Sequence, residues 1–180
     1  MTTDEALMLE FQRGSRDAFT ELFERYRDRL YAFFRRRLES DLRAEDLTQE
    51  TFLAVIRAAQ RYEPRSLVRT YLFGIAMKLL FAERRHSAHD AAPLAADLPA
   101  AADGADDALW LREALAKLDP FDREVLMLRE FEQLSYAEIA ELQRVPVNTV
   151  RSRLFRARMA LKDRLEPASR PAASEGEELA

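Results

Sequence analysis

Between positions 134 and 161 the chain reads LSYAEIAELQRVPVNTVRSRLFRARMAL, and this stretch restricts the fold more than any other. Ser135 and Glu138 have the S-x-x-E spacing in which a hydroxyl and a carboxylate satisfy each other's free backbone N–H groups at a helix start. A helix therefore opens at Ser135, with Ile139, Ala140 and Leu142 on its apolar face. It breaks at Gln143-Arg144-Val145-Pro146, because proline lacks an N–H donor and restricts the residue before it. A second helix opens at Pro146 or Val147. Within it Val150, Leu154, Ala157 and Leu161 recur at helical spacing and form an inward stripe. Asn148, Arg151, Ser152, Phe155 and Arg156 fall on the opposite side, with Thr149, Arg153 and Arg158 on the flanks. Two short helices around a tight turn, the second one basic, have the layout of a helix-turn-helix whose second helix enters the DNA major groove.

Charge agrees with this assignment. Positions 151–164 hold six Lys or Arg against one acid, a net of +5, in a chain whose total is −4. Arginine forks pair with the O6 and N7 edge of guanine or clamp phosphates. The competing interpretation is a solvated basic helix, or a helix pair buried in some other all-helical protein. The overall acidity excludes an indiscriminate nucleic-acid coat, so DNA contact is expected through local basic patches.

The rest of the chain is also helical in character, with four glycines and abundant Ala, Leu, Arg and Glu. The fold class expected is all-α, as two small helical domains joined by a flexible linker. Positions 91–109 hold four acids and no base between two charge-balanced blocks, and they are rich in Ala and Pro. The domains are accordingly placed at 1–87 and 108–166, with an acidic linker at 88–107 and a disordered acidic tail at 167–180. Fully extended, about 20 linker residues span roughly 60 to 70 Å.

In the first block a short helix from Asp4 stops at Gly14, and Ser15 caps a long second helix. Phe19, Leu22, Phe23, Tyr26, Leu30, Phe33 and Phe34 keep one of its faces apolar. Its terminal run Arg35-Arg36-Arg37 is taken as a solvated face with the option of touching phosphates. A third helix over 43–59 buries Leu47, Thr51, Phe52, Val55 and Ala58. Asp46, Gln49, Glu50, Leu53 and Arg57 then line its other side, which periodicity alone assigns to solvent. After a loop at 61–66, a fourth helix over 68–85 carries the apolar stripe Val68, Tyr71 or Leu72, Ile75 and Leu79. Aromatic residues interleaved with cations there suit either a core with surface arginines or stacking of unpaired bases.

No catalytic constellation is present. There is no glycine-rich phosphate loop, no G-x-S-x-G elbow and no nucleophile beside a base. His86 and His89 are the only histidines, and with no cysteine in the chain they do not make a metal site. We expect no cofactor, no metal and no small-molecule substrate. Zero cysteines fit a reducing cytoplasm. No secretory leader or membrane span is evident.

Taken together, the segments DAFTELFERYRDRLYAFFRR, AEDLTQETFLAVIRAAQRYEP, VRTYLFGIAMKLL, an acidic linker, LDPFDREVLMLREFEQLSYAEIAEL and PVNTVRSRLFRARMAL resemble an RNA polymerase sigma factor. The resemblance is to the sigma-70 family, in its extracytoplasmic-function (ECF) subgroup, which keeps only regions 2 and 4. EDLTQETF and PVNTVRSRLFRAR are its most specific pieces. The resemblance implies that Asp46, Gln49, Glu50 and Leu53 bind core polymerase at the β′ clamp helices, and that region 4 meets the β flap. It further implies that the loop at 61–66, with Arg61, Tyr62, Arg65 and Ser66, captures a flipped −10 base. Arg69, Tyr71, Lys78 and Arg85 would then face the non-template strand. Arg151, Ser152, Phe155 and Arg156 would read −35 base edges beside Asn148, with Thr149, Arg153 and Arg158 on the backbone. An anti-sigma protein, commonly membrane-anchored, is a further implied partner.

The sequence departs from the family pattern at several points. Gln143-Arg144 replaces a common Leu-Gly, so Arg144 must hold the turn itself. Gln133 also replaces a frequent glycine, Tyr71 a frequent tryptophan, and Met77-Lys78 the usual Arg-Asn. Two other functions stay open on sequence: a free-standing helix-turn-helix regulator, and a sigma-like adaptor that binds polymerase without melting DNA.

Overall fold

The computed structural model describes residues 2–87 and 105–165; the tail expected at 167–180 and most of the linker expected at 88–107 lie outside them. Every element among the described residues is helical. The first unit is built from α1 (Asp4–Gln12), α2 (Arg16–Arg35), α3 (Asp41–Ala58) and α4 (Val68–Ser87). A 3-10 turn at Ala59–Arg61 follows α3. Thr3, Ser15 and Ser40 cap α1, α2 and α3, each side-chain oxygen accepting a first-turn N–H at 3.2–3.3 Å. Gly14 ends the α1 segment at φ +104°, a conformation that costs glycine little.

The apolar stripes of these helices meet in one core. Leu22, Tyr26, Leu30, Phe33 and Phe34 of α2 are buried together with Leu47, Phe52 and Val55 of α3. Thr48 and Thr51 are buried as well, each hydroxyl donating to the carbonyl four residues back at 2.7 Å. On α4 the buried apolar set is Val68, Leu72, Phe73, Ala76, Met77 and Leu80, while Ile75 and Leu79 are only half-buried. The stripe is thus rotated toward Leu72 and Phe73 relative to the expected one. Packing of Phe73 on Phe33, with centroids 5.5 Å apart, turns it that way.

The second unit holds α5 (Ala105–Ala116), α6 (Pro120–Glu130), α7 (Tyr136–Gln143) and α8 (Val147–Leu165). Asp119 caps α6 by accepting the N–H groups of Phe121 and Asp122 at 2.9 and 3.2 Å, with Pro120 at the first helical position. The capping box forms at α7: Ser135 Oγ accepts from Glu138 N at 3.2 Å, and Glu138 Oε2 accepts from Ser135 N at 2.8 Å. Val125, Leu128, Leu134, Ile139, Val150, Leu154 and Ala157 close the core. Two non-glycine residues take left-handed backbone, Gln133 at φ 56° and Arg144 at φ 55°. Both take a conformation that glycine tolerates best, so the chain keeps each turn and accepts the Cβ strain.

The units pack against each other, with α4 on α7 and the end of α2 near α6. Here the structure corrects one expectation: the 35–37 arginine run is not a solvated face. Arg37 is buried, its Nε and Nη2 donating to Glu124 Oε1 at 3.0 and 2.9 Å and its Nη1 to Glu132 Oε1 at 3.2 Å. Arg36 Nη2 donates to both oxygens of Glu132 at 2.9 and 3.0 Å. Burying a guanidinium is costly unless its charge is paired, and two carboxylates from the other unit pair Arg37 and Arg36, leaving Arg36 Nε without an acceptor.

Candidate nucleic-acid and polymerase interfaces

The face of α8 is the most clearly built of the candidate sites. Val150, Leu154 and Ala157 point into the core, which leaves Asn148, Arg151, Ser152, Phe155 and Arg156 exposed along one side. Phe155 stands 66% exposed with no core role, an apolar ring among cations. The cations differ in how they are held. Arg151 Nη1 reaches Asn148 Oδ1 at 3.4 Å, and Arg158 pairs with the equally exposed Glu130 at 2.8 Å. Arg153 Nη1 donates to Gln143 Oε1 at 3.0 Å and its guanidinium lies 5.0 Å from the Phe121 centroid. Arg156 is gripped on two bonds by Asp122, Nε to Oδ2 at 2.9 Å and Nη2 to Oδ1 at 2.7 Å. That contact raises the Arg156 guanidinium pKa. Thr149, on the flank, is half-buried.

The α4 face is turned toward the second unit. Arg69 donates from Nε and Nη2 to Glu138 Oε1 at 2.9 and 2.7 Å and from Nη2 to Oε2 at 2.7 Å, and the buried Thr70 hydroxyl donates to the same carboxylate at 3.1 Å. Glu138 thus caps α7 and ties the units together. Burial would push its carboxyl up, but the hydrogen bonds from Arg69 and Ser135 outweigh that and hold it below the usual carboxylate range.

Tyr62 is buried, its ring 5.3 Å from that of the half-buried Tyr71, and burial raises both phenol pKa values. Arg61, Arg65, Lys78 and Arg85 are exposed and Ser66 is half-buried; Arg65 pairs with neighbouring Glu63. Ser66, Tyr71 and Lys78 line one wall of a groove of about 720 Å³, and Phe121, Leu142 and Arg153 stand on the facing wall. Arg84 also lines it, with Nε and Nη2 buried and unpartnered. Burial lowers its guanidinium pKa against the raising field of Glu124.

The third face belongs to α3. Gln49 and Leu53 are exposed and Asp46 and Glu50 half-exposed, with Leu42 and Ile56 adding exposed apolar surface beside them. Arg43 chelates Glu83 at 2.9 and 2.7 Å and lies 3.6 and 3.5 Å from Asp46 and Glu50. The face is therefore a partly neutralised acidic stripe with leucine and isoleucine in its middle. A docking surface for a protein with matching cations and apolar side chains has that composition.

The polymerase-face candidates gather on α3, the −10 candidates on α4 and the loop before it, and the −35 candidates on α8, with Arg153 of the last set sharing a groove with Ser66, Tyr71 and Lys78. Sequence reading missed the acids that organise them, namely Asp122, Glu124, Glu132 and the second role of Glu138. Nothing in local periodicity marks such residues, because their partners come from distant helices. Among the described residues no group of His, Cys, Asp or Glu is placed to hold a metal ion, and His89 lies outside them.

Family comparisons match this architecture. Residues 22–89 match the sigma-70 region 2 model and residues 108–161 the sigma-70 region 4 model. RNA polymerase sigma factor CarQ of Myxococcus xanthus is 35% identical over 165 residues, spanning 88% of this chain and 95% of its own. ECF RNA polymerase sigma factor SigC of Mycobacterium tuberculosis is 39% identical over 131 residues, 69% of this chain and 71% of its own. The chain is an ECF sigma factor of the sigma-70 family. A solved structure of CnrH in complex with the cytosolic domain of CnrY superposes on this sigma factor with TM-score 0.64 at 25% identity, covering 89% of this chain and 95% of that one. As a sigma factor it binds RNA polymerase and directs it to promoters. The first unit of this sigma factor is its region 2, and the second is its region 4. Among its described residues no helix is long and apolar enough to cross a membrane.

Proposed function

We propose that this sigma factor divides promoter recognition between its two units, with residues 1–87 holding polymerase and the −10 element and residues 108–166 reading the −35 duplex. The observation that carries the proposal is the sidedness of α8, whose Val150, Leu154 and Ala157 are buried and Leu161 half-buried while Asn148, Arg151, Ser152, Phe155 and Arg156 stand together in solvent. A helix so divided enters a major groove with base-reading groups forward. Arg151, Ser152, Phe155 and Arg156 take base edges, and Thr149, Arg153 and Arg158 take phosphates. On α3, Asp46, Gln49, Glu50 and Leu53 meet the β′ clamp helices. Arg61, Tyr62, Arg65, Ser66, Arg69, Tyr71, Lys78 and Arg85 serve the melted −10 strand. For that, Arg69 has to leave Glu138 and region 2 has to part from region 4.

The partners proposed are core polymerase through the clamp helices and β flap, promoter DNA and an anti-sigma protein. CnrH, similar in fold, was solved in complex with the cytosolic domain of CnrY, which supports a further protein partner for a chain of this fold. Residues 88–107 act as the tether and 167–180 as an acidic tail, and the protein works in the cytoplasm. In vitro run-off transcription with purified core polymerase and a promoter library tests the whole. Transcripts that require this protein are expected. Sequence-specific DNA binding without polymerase, and no transcripts with it, would instead make the chain a free-standing regulator.

A further inference from the structure

We propose that Asp122 is a positioning residue that aims Arg156 end-on at a guanine in the duplex that α8 reads. The proposal rests on the reading of α8 as the major-groove helix and deepens it to a single base pair. A guanidinium has five N–H donors in a planar fork. Asp122 occupies its side edge, taking one donor from Nε at 2.9 Å and one from Nη2 at 2.7 Å. The donors left are both N–H groups of Nη1 and the outward one of Nη2. Those at the free end form the parallel pair that matches guanine O6 and N7. Adenine presents an amino donor beside its N7, and a group made only of donors is repelled there.

The grip is firm on the α6 side. The Asp122 side chain is 7% exposed while that of Arg156 is 58% exposed, so a buried carboxylate holds a solvent-facing cation. Its backbone is fixed in turn by the Asp119 cap, and α6 packs along α8. None of the other α8 arginines is described with such a bidentate carboxylate: Arg151 leans on an amide, Arg153 on an amide and a ring, Arg158 on one exposed glutamate and Arg164 on the Lys117 carbonyl. Immobilising a long side chain on binding costs conformational entropy, and Asp122 removes much of that cost in advance. The side-edge donors are also withheld from phosphates, which favours base over backbone contact.

Holoenzyme reconstituted from the full chain and core polymerase is assayed on promoters permuted one base pair at a time across the −35 element. Wild type is expected to require guanine at one position, and Arg156→Ala to abolish that requirement. Asp122→Asn keeps the volume of the side chain but loses its charge and one acceptor. It should lower the guanine preference at that same position about tenfold, with thermal unfolding of the variant checking its fold. Asp122→Glu, which retains the carboxylate, should recover part of it. A position that depends on Arg156 but keeps its preference in Asp122→Asn overturns the proposal and leaves α8 as the reader. Equal loss at every position marks Asp122 as structural and overturns it too, as does an Arg156-dependent preference for adenine. Wild type with no preference at any −35 position instead overturns the underlying reading of α8.

Discussion

Glu132→Ala is expected to loosen region 2 from region 4 without unfolding either. The side chain is 1% exposed, and its carboxylate accepts from Arg36 at 2.9 and 3.0 Å and from Arg37 at 3.2 Å. Removing one member of a buried ion pair generally costs about 3 to 5 kcal/mol, because the remaining charge is stranded. In this site the stranding is incomplete. Arg37 keeps Glu124 and the Phe33 carbonyl, and the Arg36 guanidinium still lies 4.8 Å from the Phe131 centroid. We therefore place the loss at about 2 to 3 kcal/mol, which shifts the balance between joined and parted regions by roughly 30- to 140-fold. The cost falls on the contact between regions, since the arginines come from the end of α2. The chain has no cysteine, so cysteines introduced at the exposed Glu24 and Lys162 accept a dye pair uniquely. Single-molecule energy transfer should show a low-transfer population that grows in Glu132→Ala, with the unfolding of each region little changed. Identical transfer histograms for wild type and variant would refute the assignment of Glu132 as the tie.

Other perturbations probe the remaining sites. Protonation of Glu138 should weaken the same contact: its folded-state pKa is lowered, so its contribution is complete above the ordinary carboxylate pKa and fades as pH falls through the lower folded value. Energy transfer titrated downward from pH 6 should fall in wild type and flatten in Glu138→Gln; parallel curves would exclude this group. Arg144→Gly relieves a left-handed Cβ strain of about 1 to 2 kcal/mol at the expense of about 0.5 to 1 in chain entropy, so a small rise in Tm is expected by calorimetry, whereas Arg144→Val should lower it. Ser135→Ala breaks the α7 capping box and should cost about 1 kcal/mol in denaturant melts. Arg151→Ala should weaken −35 discrimination by about 1 to 3 kcal/mol in competition binding, while Asp46→Ala and Gln49→Ala impair polymerase affinity and leave duplex contacts intact. Unchanged polymerase affinity in the latter pair would exclude α3 as the docking face.

Short-range chemistry was legible in the chain before any coordinates. The S-x-x-E box at Ser135, the cap at Ser15, the stop at Gly14 and the two-sidedness of α8 all depend on residues within a few positions of one another, and all appear in the structure. That Arg144 holds the turn follows from the family resemblance, and its left-handed backbone is a finding of the structure. The stripe on α4 was misplaced because a 20-residue helix with apolar side chains on several sides has no unique inner face until a neighbour packs on it. Phe33 made that choice.

What only the tertiary structure decided is how the charges are spent. Arg36 and Glu132 are 96 residues apart, Arg69 and Glu138 are 69 apart, and Arg156 and Asp122 are 34 apart. No periodicity links such pairs, and each member alone has the look of a solvated charge. Helix packing, between the two units for Glu132 and Glu138 and within the second for Asp122, strips water from these carboxylates, and a stripped charge is costly unless an opposite one pairs it. The sequence by itself therefore determined the helices, their caps and which side of α8 faces solvent. The three-dimensional packing determined which arginines on that side are held by a carboxylate, because pairing a charge in a low-dielectric contact depends on distances that exist only once the chain is folded.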